Sequence, residues 1–446
     1  MANFFPRPSF AAPSFERDVF PILRENCSGC HSKAEKKAKG GLSLDTREQM
    51  LNGGEDGPLF VAGKPNESQL LKMIEGDKPE MPKKQTPLRT EQIKLLREWV
   101  SAGAAIDVWP VVIDRKVVIP AVYRFAPPID SVAFSPDGTT VAAACRSEIA
   151  LAPIDDSPTR RLATDCDQIT CVQFSPDGTM LAASGGSPAR FGEVCFFDPG
   201  DGRIISTRRL TRDTLFRGDF APDGKCFAVG AADGAVYLVP TDSTAAVRSS
   251  ELHSDWVLSV AYSPDGKWIV SGGRDKATKV SLAQTGSLLA TVDMSGDMVT
   301  AVASDALGAI ALSRKGDLIG YDYKIALSGV EVNGSGNGAV PVDKRGQYAR
   351  NYETQGIDSL AMAISGDRKT IAVATAAGEI RAYRVADRVR VATIAKSPAP
   401  VYSLALNMNG SRVAAGSKSG TLSIYALPTG ERIKSLTPVP VMQAKK

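Results

Sequence analysis

IDSVAFSPDG, at residues 129–138, is the first of seven related segments in this 446-residue chain. Each copy alternates apolar and polar side chains, which is typical of a half-buried β-strand, and then reaches a turn. Pro-Asp-Gly is a strong turn tripeptide, because proline fixes φ and glycine adopts positive φ without strain. The third copy is degraded to FAPDG at 220–224, and the others begin at Ile169, Val257, Val299, Asp358 and Val401.

A small apolar strand follows each copy, for example Val141–Ala144, Trp268–Ser271 and Ile371–Thr375. Two more strands come next, separated by turn residues such as Thr285-Gly286. Four short strands per repeat, seven times over, predict a seven-bladed β-propeller across residues 124–436.

We predict that the rest of the chain divides into a tail at 1–13, a small N-terminal domain at 14–107, a linker at 108–123 and a C-terminal tail at 437–446. The linker alternates as a strand does, so Val108–Tyr123 is one candidate for the strand that completes the last blade and closes the ring. Glu431–Leu436 is the other candidate. Closure matters because it removes exposed strand edges.

The spacing between copies five and six is about twenty residues longer than the rest. We therefore predict an insertion at about 329–355, rich in glycine and asparagine at its start. Two interpretations stay open, a disordered surface loop or a docking loop. The docking side chains would be Lys344, Arg345, Tyr348, Arg350 and Tyr352.

The N-terminal domain contains Cys27-Ser28-Gly29-Cys30-His31, a C-x-x-C-H pattern. This is the attachment signature of c-type haem, in which both thiols reach the vinyl groups of one porphyrin and the imidazole becomes the proximal iron ligand. Half of a zinc site is the alternative, but a closed zinc site needs four ligands and no second C-x-x-C exists. The chain has only two histidines, His31 and His253.

Helices are expected on both sides of this motif. Phe15–Leu23 predicts a first amphipathic helix in which Pro21 marks a start or a kink. A last helix is predicted from about Glu91 to Ala102, with Thr90 as N-cap and Gly103 as its stop. The two helices would pack together through Phe15, Phe20, Leu23, Leu95 and Trp99.

A haem electron carrier needs a sixth iron ligand, and a thioether is suited to it because it raises the reduction potential. Met81 is the candidate, since it lies in a proline-flanked loop just before the last helix. Met73, at helical spacing with Leu70 and Ile74, is interpreted as core. Met50 is interpreted in the same way.

Several segments together resemble the planctomycete-type cytochrome c domain. They are FxxDVxPIL before C-x-x-C-H, then GGLxLDTR, GKPxxSxLL, Met-Pro and LxxWVxxGA, over about residues 14–106. The resemblance implies a small all-α fold, covalent haem c on Cys27 and Cys30, and iron ligation by His31 and Met81. Lys83 departs from the pattern, where the family usually has a second proline.

The repeats resemble WD-repeat propellers of the bacterial kind over about residues 124–436, although the Trp-Asp dipeptide itself is missing from the blade ends. His253 lies just before a first strand, where WD repeats often carry a structural histidine. The resemblance implies an all-β platform for protein partners. It specifies no particular partner.

Composition narrows the alternatives. A hydrophobic content of 43% suits a soluble globular protein, and a net charge of +4 with no nucleic-acid motif argues against a nucleic-acid partner. No apolar run reaches membrane-spanning length and no secretory signal is visible, so a periplasmic or otherwise extracytoplasmic location rests on haem c alone. Cys166 and Cys171 flank a short turn and are a candidate disulfide, leaving Cys145, Cys195 and Cys226 open.

We therefore expect a non-enzymatic electron carrier with one haem c, docked by its propeller within a larger extracytoplasmic assembly. Lysines at 33–39, 78, 83 and 84 would steer an acidic redox partner if they surround the haem edge. The alternative is an oxidoreductase with a catalytic site in the propeller, fed by the cytochrome. A purely structural propeller with an incidental haem is a third interpretation.

Overall fold

The computed structural model describes residues 13–28, 30–32, 38–83, 87–106, 119–242, 245–322, 349–353, 355–394, 397 and 399–442. The chain divides into two compact units, Met1–Asp114 and Arg115–Lys446. The finer domain boundaries given above stay predictions. No helix of the described part is both long and apolar enough to span a membrane.

Helices make up the regular structure of the described part of the first unit. They are a π-helical turn at Phe15–Val19, α1 (Phe20–Asn26), α2 (Arg47–Asn52), α3 (Gln69–Ile74) and α4 (Thr90–Ser101), with short 3₁₀ turns at Lys39–Gly41 and Pro65–Glu67.

Contact between the first and last helical segments is confirmed. The rings of Phe15 and Trp99 are 5.6 Å apart between centroids, and Phe60 meets Trp99 edge-on at 4.9 Å. Trp99 also donates from Nε1 to the carbonyl of Ala105 at 3.0 Å, which satisfies its buried polar atom. This aromatic cluster closes the small unit.

The helix boundaries differ from the sequence-based prediction in two places. The first helix is not continuous, because a π-helical turn precedes α1 and Pro21 lies in the first turn of α1. Arg89, not Thr90, is the N-cap of α4, and Gln92 accepts from the Arg89 backbone N–H at 3.1 Å. Gly103 ends the helix as expected, with φ +104°.

Seven four-stranded antiparallel sheets form the second unit, which confirms the seven-bladed propeller. All four strands of a blade follow one another in the chain. Blade by blade they are β1–β4 (Ile129–Phe134, Thr140–Cys145, Glu148–Pro153, Arg160–Ala163), β5–β8 (Gln168–Phe174, Leu181–Ser187, Phe191–Phe197, Ile204–Thr211), β9–β12 (Leu215–Phe220, Cys226–Ala231, Ala235–Pro240, Arg248–Glu251), β13–β16 (Val257–Tyr262, Trp268–Gly273, Ala277–Leu282, Leu288–Met294), β17–β20 (Val299–Ser304, Gly308–Ser313, Leu318–Asp322, Ala349–Asn351), β21–β24 (Ser359–Ile364, Thr370–Thr375, Ile380–Arg384, Arg390–Ile394) and β25–β28 (Val401–Leu406, Arg412–Ser417, Leu422–Ala426, Arg432–Leu436).

The second blade shows which hydrogen bonds stabilise the repeated Ser-Pro-Asp-Gly turn. Ser175 donates from its hydroxyl to Asp177 at 2.6 Å, and the backbone N–H of Thr179 donates to the same carboxylate oxygen at 3.1 Å. Gly178 has φ +73°, a conformation that costs glycine little. The motif therefore fixes the reversal between the first two strands of a blade.

Seven apolar clusters lie between the blades, each built from two successive blades, including the last and the first. The final one joins Ile129 and Val141 of the first blade to Ala414 and Leu422 of the seventh. The outer strand of the seventh blade is Arg432–Leu436, so the second closure candidate is confirmed. Within the described residues of the linker, Tyr123 adds only an isolated bridge to Val441.

The predicted insertion is too long at its C-terminal end. Residues 349–351 form β20, the outer strand of the fifth blade, where Arg350 binds Asp305 through two hydrogen bonds of 2.6 and 3.0 Å. Tyr352 is buried against Tyr383, with ring centroids 6.0 Å apart. Both side chains are structural, and the other predicted docking residues, Lys344, Arg345 and Tyr348, lie outside the described residues.

The buried carboxylate of Glu148 connects the segment that precedes the first blade to that blade. Glu148 is fully buried and accepts two hydrogen bonds from Arg161, at 2.6 and 2.8 Å. Arg161 also donates to the carbonyl of Pro120 at 2.8 Å and lies over the ring of Tyr123. Burial raises the pKa of the Tyr123 hydroxyl, and the N–H of Tyr123 donates to Pro440 at 2.8 Å.

We expect Glu148→Gln to destabilise the protein by about 3 kcal/mol, because it leaves the Arg161 charge without its buried partner. Urea unfolding followed by circular dichroism measures the change. Asp358→Asn is the matched control, since its pair with Arg314 at 3.5 Å is half exposed and contributes little. Equal stability of the two variants would contradict the role assigned to Glu148.

Candidate functional site

The C-x-x-C-H segment forms a compact turn at the end of α1. The backbone N–H of Cys27 still bonds to Leu23 at 2.9 Å, as the last helical link. Cys30 and His31 both donate their backbone N–H to the carbonyl of Cys27 at 3.1 Å. The chain therefore folds back on the first cysteine, which keeps the two thiols and the imidazole in one short loop.

The imidazole of His31 is oriented by the backbone. Its Nδ1 lies 3.0 Å from the carbonyl oxygen of Lys39. Because a carbonyl oxygen only accepts, Nδ1 carries the proton, and Nε2 of the neutral ring keeps a free lone pair. The Lys39 N–H in turn donates to Cys30, and Leu44 donates to His31 itself, at 3.1 and 2.8 Å. A metal-ligating histidine is oriented in this way.

Both motif cysteines are free thiols with partly buried side chains. Cys27 packs against the apolar core of the helical unit. Burial, together with the neighbouring Cys30, raises the pKa of the Cys27 thiol to about 11. The Cys27 thiol is consequently neutral and held against an apolar surface at physiological pH.

Met81 packs against the same apolar core as Cys27 while staying partly exposed. Its backbone N–H donates to the carbonyl of Met73 at 2.9 Å, which ties the loop before α4 to the end of α3. Met50 is buried as predicted. The interpretation of Met73 as core is wrong: it is only partly buried and lies outside the cluster, because Leu70, Leu71 and Ile74 form the buried face of α3.

Sequence reasoning missed the partner of His31. The acceptor is a backbone carbonyl, eight residues further on, at the start of a 3₁₀ turn. Any residue type offers the same carbonyl, so no sequence signal could have identified it. Among the described residues, no three His, Cys, Asp or Glu side chains come together as a metal site.

The second histidine is structural. His253 is buried, with Nδ1 2.9 Å from Asp275 and Nε2 2.8 Å from the hydroxyl of Ser271. Burial raises the pKa of Asp275. The hydrogen bond from His253, together with further contacts, outweighs this effect and holds the pKa below its usual value. Both ring nitrogens are therefore used within the fourth blade.

The propeller cysteines are free thiols. Cys166 and Cys171, considered as a pair from the sequence, contact different groups. Cys166 lies 3.9 Å from the buried carboxylate of Glu193, whereas Cys171 lies 3.7 Å from the carbonyl of Gly218 in the next blade. The same oxygen of Glu193 is 3.3 Å from Cys195, so Glu193 joins Cys166 to Cys195 rather than to Cys171.

Comparison with known families agrees with this division of the chain. The sequence model of the Planctomycete cytochrome C family matches residues 27–85, which begin at the first motif cysteine and include Met81. The model of the WD domain, G-beta repeat, matches residues 157–187, 246–280 and 389–425. No curated protein is significantly similar to the chain. The chain thus joins a cytochrome-like segment to a propeller of the type that binds proteins.

We expect His253→Ala to lower the free energy of unfolding by about 3 kcal/mol, because Asp275 and Ser271 lose their buried partner. Chemical denaturation measures the loss. Ser254→Ala, at the exposed neighbouring position, is the control and should have no effect. A stable His253→Ala protein would show that the network is dispensable.

Proposed function

We propose that the N-terminal domain is a c-type cytochrome that carries single electrons through one haem c. Cys27 and Cys30 would attach the haem through thioether bonds, and His31 and Met81 would be its iron ligands. The observation that carries this proposal is the His31 ring, with Nδ1 bonded to the Lys39 carbonyl and no hydrogen bond to Nε2 from any described residue.

The side chains of the C-x-x-C-H turn and Met81 fit a covalently bound haem. The two thiols are unpaired, as thioether formation requires, and they share one turn with the imidazole. Cys27 and Met81 pack on one apolar cluster, so both side chains adjoin a surface suited to an apolar porphyrin. A zinc site finds less support, since no third cysteine, carboxylate or second histidine of the described residues joins the motif.

Bound haem would supply one-electron redox chemistry, and a methionine ligand would raise its potential. The protein contributes the orientation of His31 and the apolar packing beneath the motif. Lys39, Lys78 and Lys83 are exposed, which supports steering of an acidic redox partner. The remaining lysines of that prediction, at 33, 36, 37 and 84, lie outside the described residues.

We propose that the propeller docks this cytochrome within an extracytoplasmic assembly. The WD-repeat matches support a protein-binding platform, and haem c is typical of an extracytoplasmic location. The alternative, a catalytic metal or second haem in the propeller, finds less support. Its one histidine is bonded at both nitrogens, and the described residues contain no cluster of three metal-binding side chains.

The first test is a pyridine haemochrome spectrum of the purified full chain, before and after denaturation and acid-acetone extraction. We expect a c-type spectrum and one haem retained on the peptide containing Cys27 and Cys30, found by mass spectrometry. Cys27→Ala with Cys30→Ala should release it. Extractable haem, or one equivalent of zinc with no haem, would contradict the proposal.

The sixth ligand is tested by comparing Met81→Ala with Met73→Ala, because Met73 is half-buried and its backbone bonds to Met81. Loss of the thioether ligand should abolish the sulfur-to-iron charge-transfer band of the oxidised protein and lower the reduction potential. We expect both changes in Met81→Ala and neither in Met73→Ala. The opposite result would assign the ligand to Met73.

A further inference from the structure

A cavity of about 410 Å³ lies in the centre of the propeller, lined by the inner strands of all seven blades. Its volume is in the range of small-molecule sites. Three charged side chains line it, Arg217, Asp219 and Arg368.

The first strand of each blade is its inner strand, and the seven inner strands can be aligned by their pairing with the second strands. In this alignment the third blade alone has charged residues at two positions that line the cavity. At the third position six strands carry serine, cysteine or alanine, and β9 carries Arg217. At the fifth position five strands carry alanine and one carries glutamine, whereas β9 carries Asp219. The fold does not need charges at these positions, because the other six blades form without them.

Arg217 crosses the cavity. Its Nη2 donates to the carbonyl of Tyr402, in the seventh blade, at 3.3 Å. Burial lowers the pKa of Arg217, and the neighbouring Cys171 and Asp130 oppose this effect. Asp130 itself accepts from the side chain of Gln168 at 2.9 Å. Asp219 accepts from the backbone N–H of Tyr262 at 3.0 Å.

Arg368 lies in the turn of the sixth blade, at the place where five other blades have a glycine with positive φ. Its φ is +59°, a conformation that is strained for a residue with a side chain. Among the described residues, its side chain makes one hydrogen bond, from Nη1 to the carbonyl of Ser304 at 3.5 Å, and its charge favours the ionised form of Asp219.

The charges of Arg217, Arg368, Asp219 and nearby Asp130 sum to zero. The two guanidinium groups nevertheless have more N–H donors than hydrogen bonds. Each guanidinium has five N–H donors. Among the described residues, Arg217 and Arg368 each make one side-chain hydrogen bond, in both cases to a backbone carbonyl and not to a carboxylate. Neither guanidinium is among the buried groups that lack a hydrogen-bond partner, so their remaining N–H groups are open to the cavity, where a ligand rich in acceptor oxygens would bind them.

We propose that the central cavity binds a small oxyanion, a carboxylate or a phosphate, with Arg217 as its principal donor and Arg368 as the second. Guanidinium is suited to both groups because its planar fork binds two oxygens at once. The proposal does not depend on haem attachment, since every residue that carries it belongs to the propeller.

Isothermal titration calorimetry of the full chain at low ionic strength tests this, with sodium succinate and sodium phosphate as separate probes and sodium chloride as the reference. We expect saturable binding of one equivalent, and the probe that binds identifies the oxyanion. Arg217→Lys should weaken binding at least tenfold (about 1.4 kcal/mol), because lysine keeps the charge but loses the fork. Absence of saturable binding by either probe would overturn the proposal.

Arg368→Gly separates binding from folding. It restores the glycine of the other turns, so we expect an unchanged or higher melting temperature without anion, together with weaker binding of the same probe. Arg274→Lys is the control, because Arg274 stacks on exposed Trp256 outside the cavity lining. Unchanged affinity in both Arg217→Lys and Arg368→Gly would overturn the proposal.

Discussion

Each blade of the propeller has two apolar faces, and a four-stranded sheet cannot bury either of them within itself. The structure meets this constraint by placing one apolar cluster between every pair of neighbouring blades. Burial of apolar area is the main favourable term in folding, so each blade depends on its neighbours. The last and first blades must meet for the same reason, and Val439, beyond the final strand, joins that closing cluster.

The helical unit has fewer residues than the propeller, and its packing supports the C-x-x-C-H turn. Its aromatic cluster around Trp99 supports α1, and the end of α1 supplies the turn that holds both thiols and the imidazole. The ring of His31 is then oriented by a backbone carbonyl. A hydrogen bond of this kind fixes both the tautomer and the orientation of an imidazole.

The repeats and the motif were predictable because their signals are local. Alternation with Pro-Asp-Gly identified the strands, and the C-x-x-C-H spacing identified the thiols. The short strand Ala349–Asn351 was missed because it has no apolar alternation and follows a long glycine-rich segment. As a result Arg350 was assigned to a docking loop, although it binds Asp305. Met73 was misplaced because α3 has only six residues, too few for a spacing argument to fix its buried face.

Among the described strands, the four of each blade follow one another in the chain, and none pairs with a strand of another blade. Duplication of one segment could add a blade without re-pairing any strand, and each copy could then diverge as long as its faces stayed apolar. The fifth blade shows such divergence, since only Asp305, Ala306 and Leu307 connect its first two strands, where five residues do so in the first blade, and the two strands still pair.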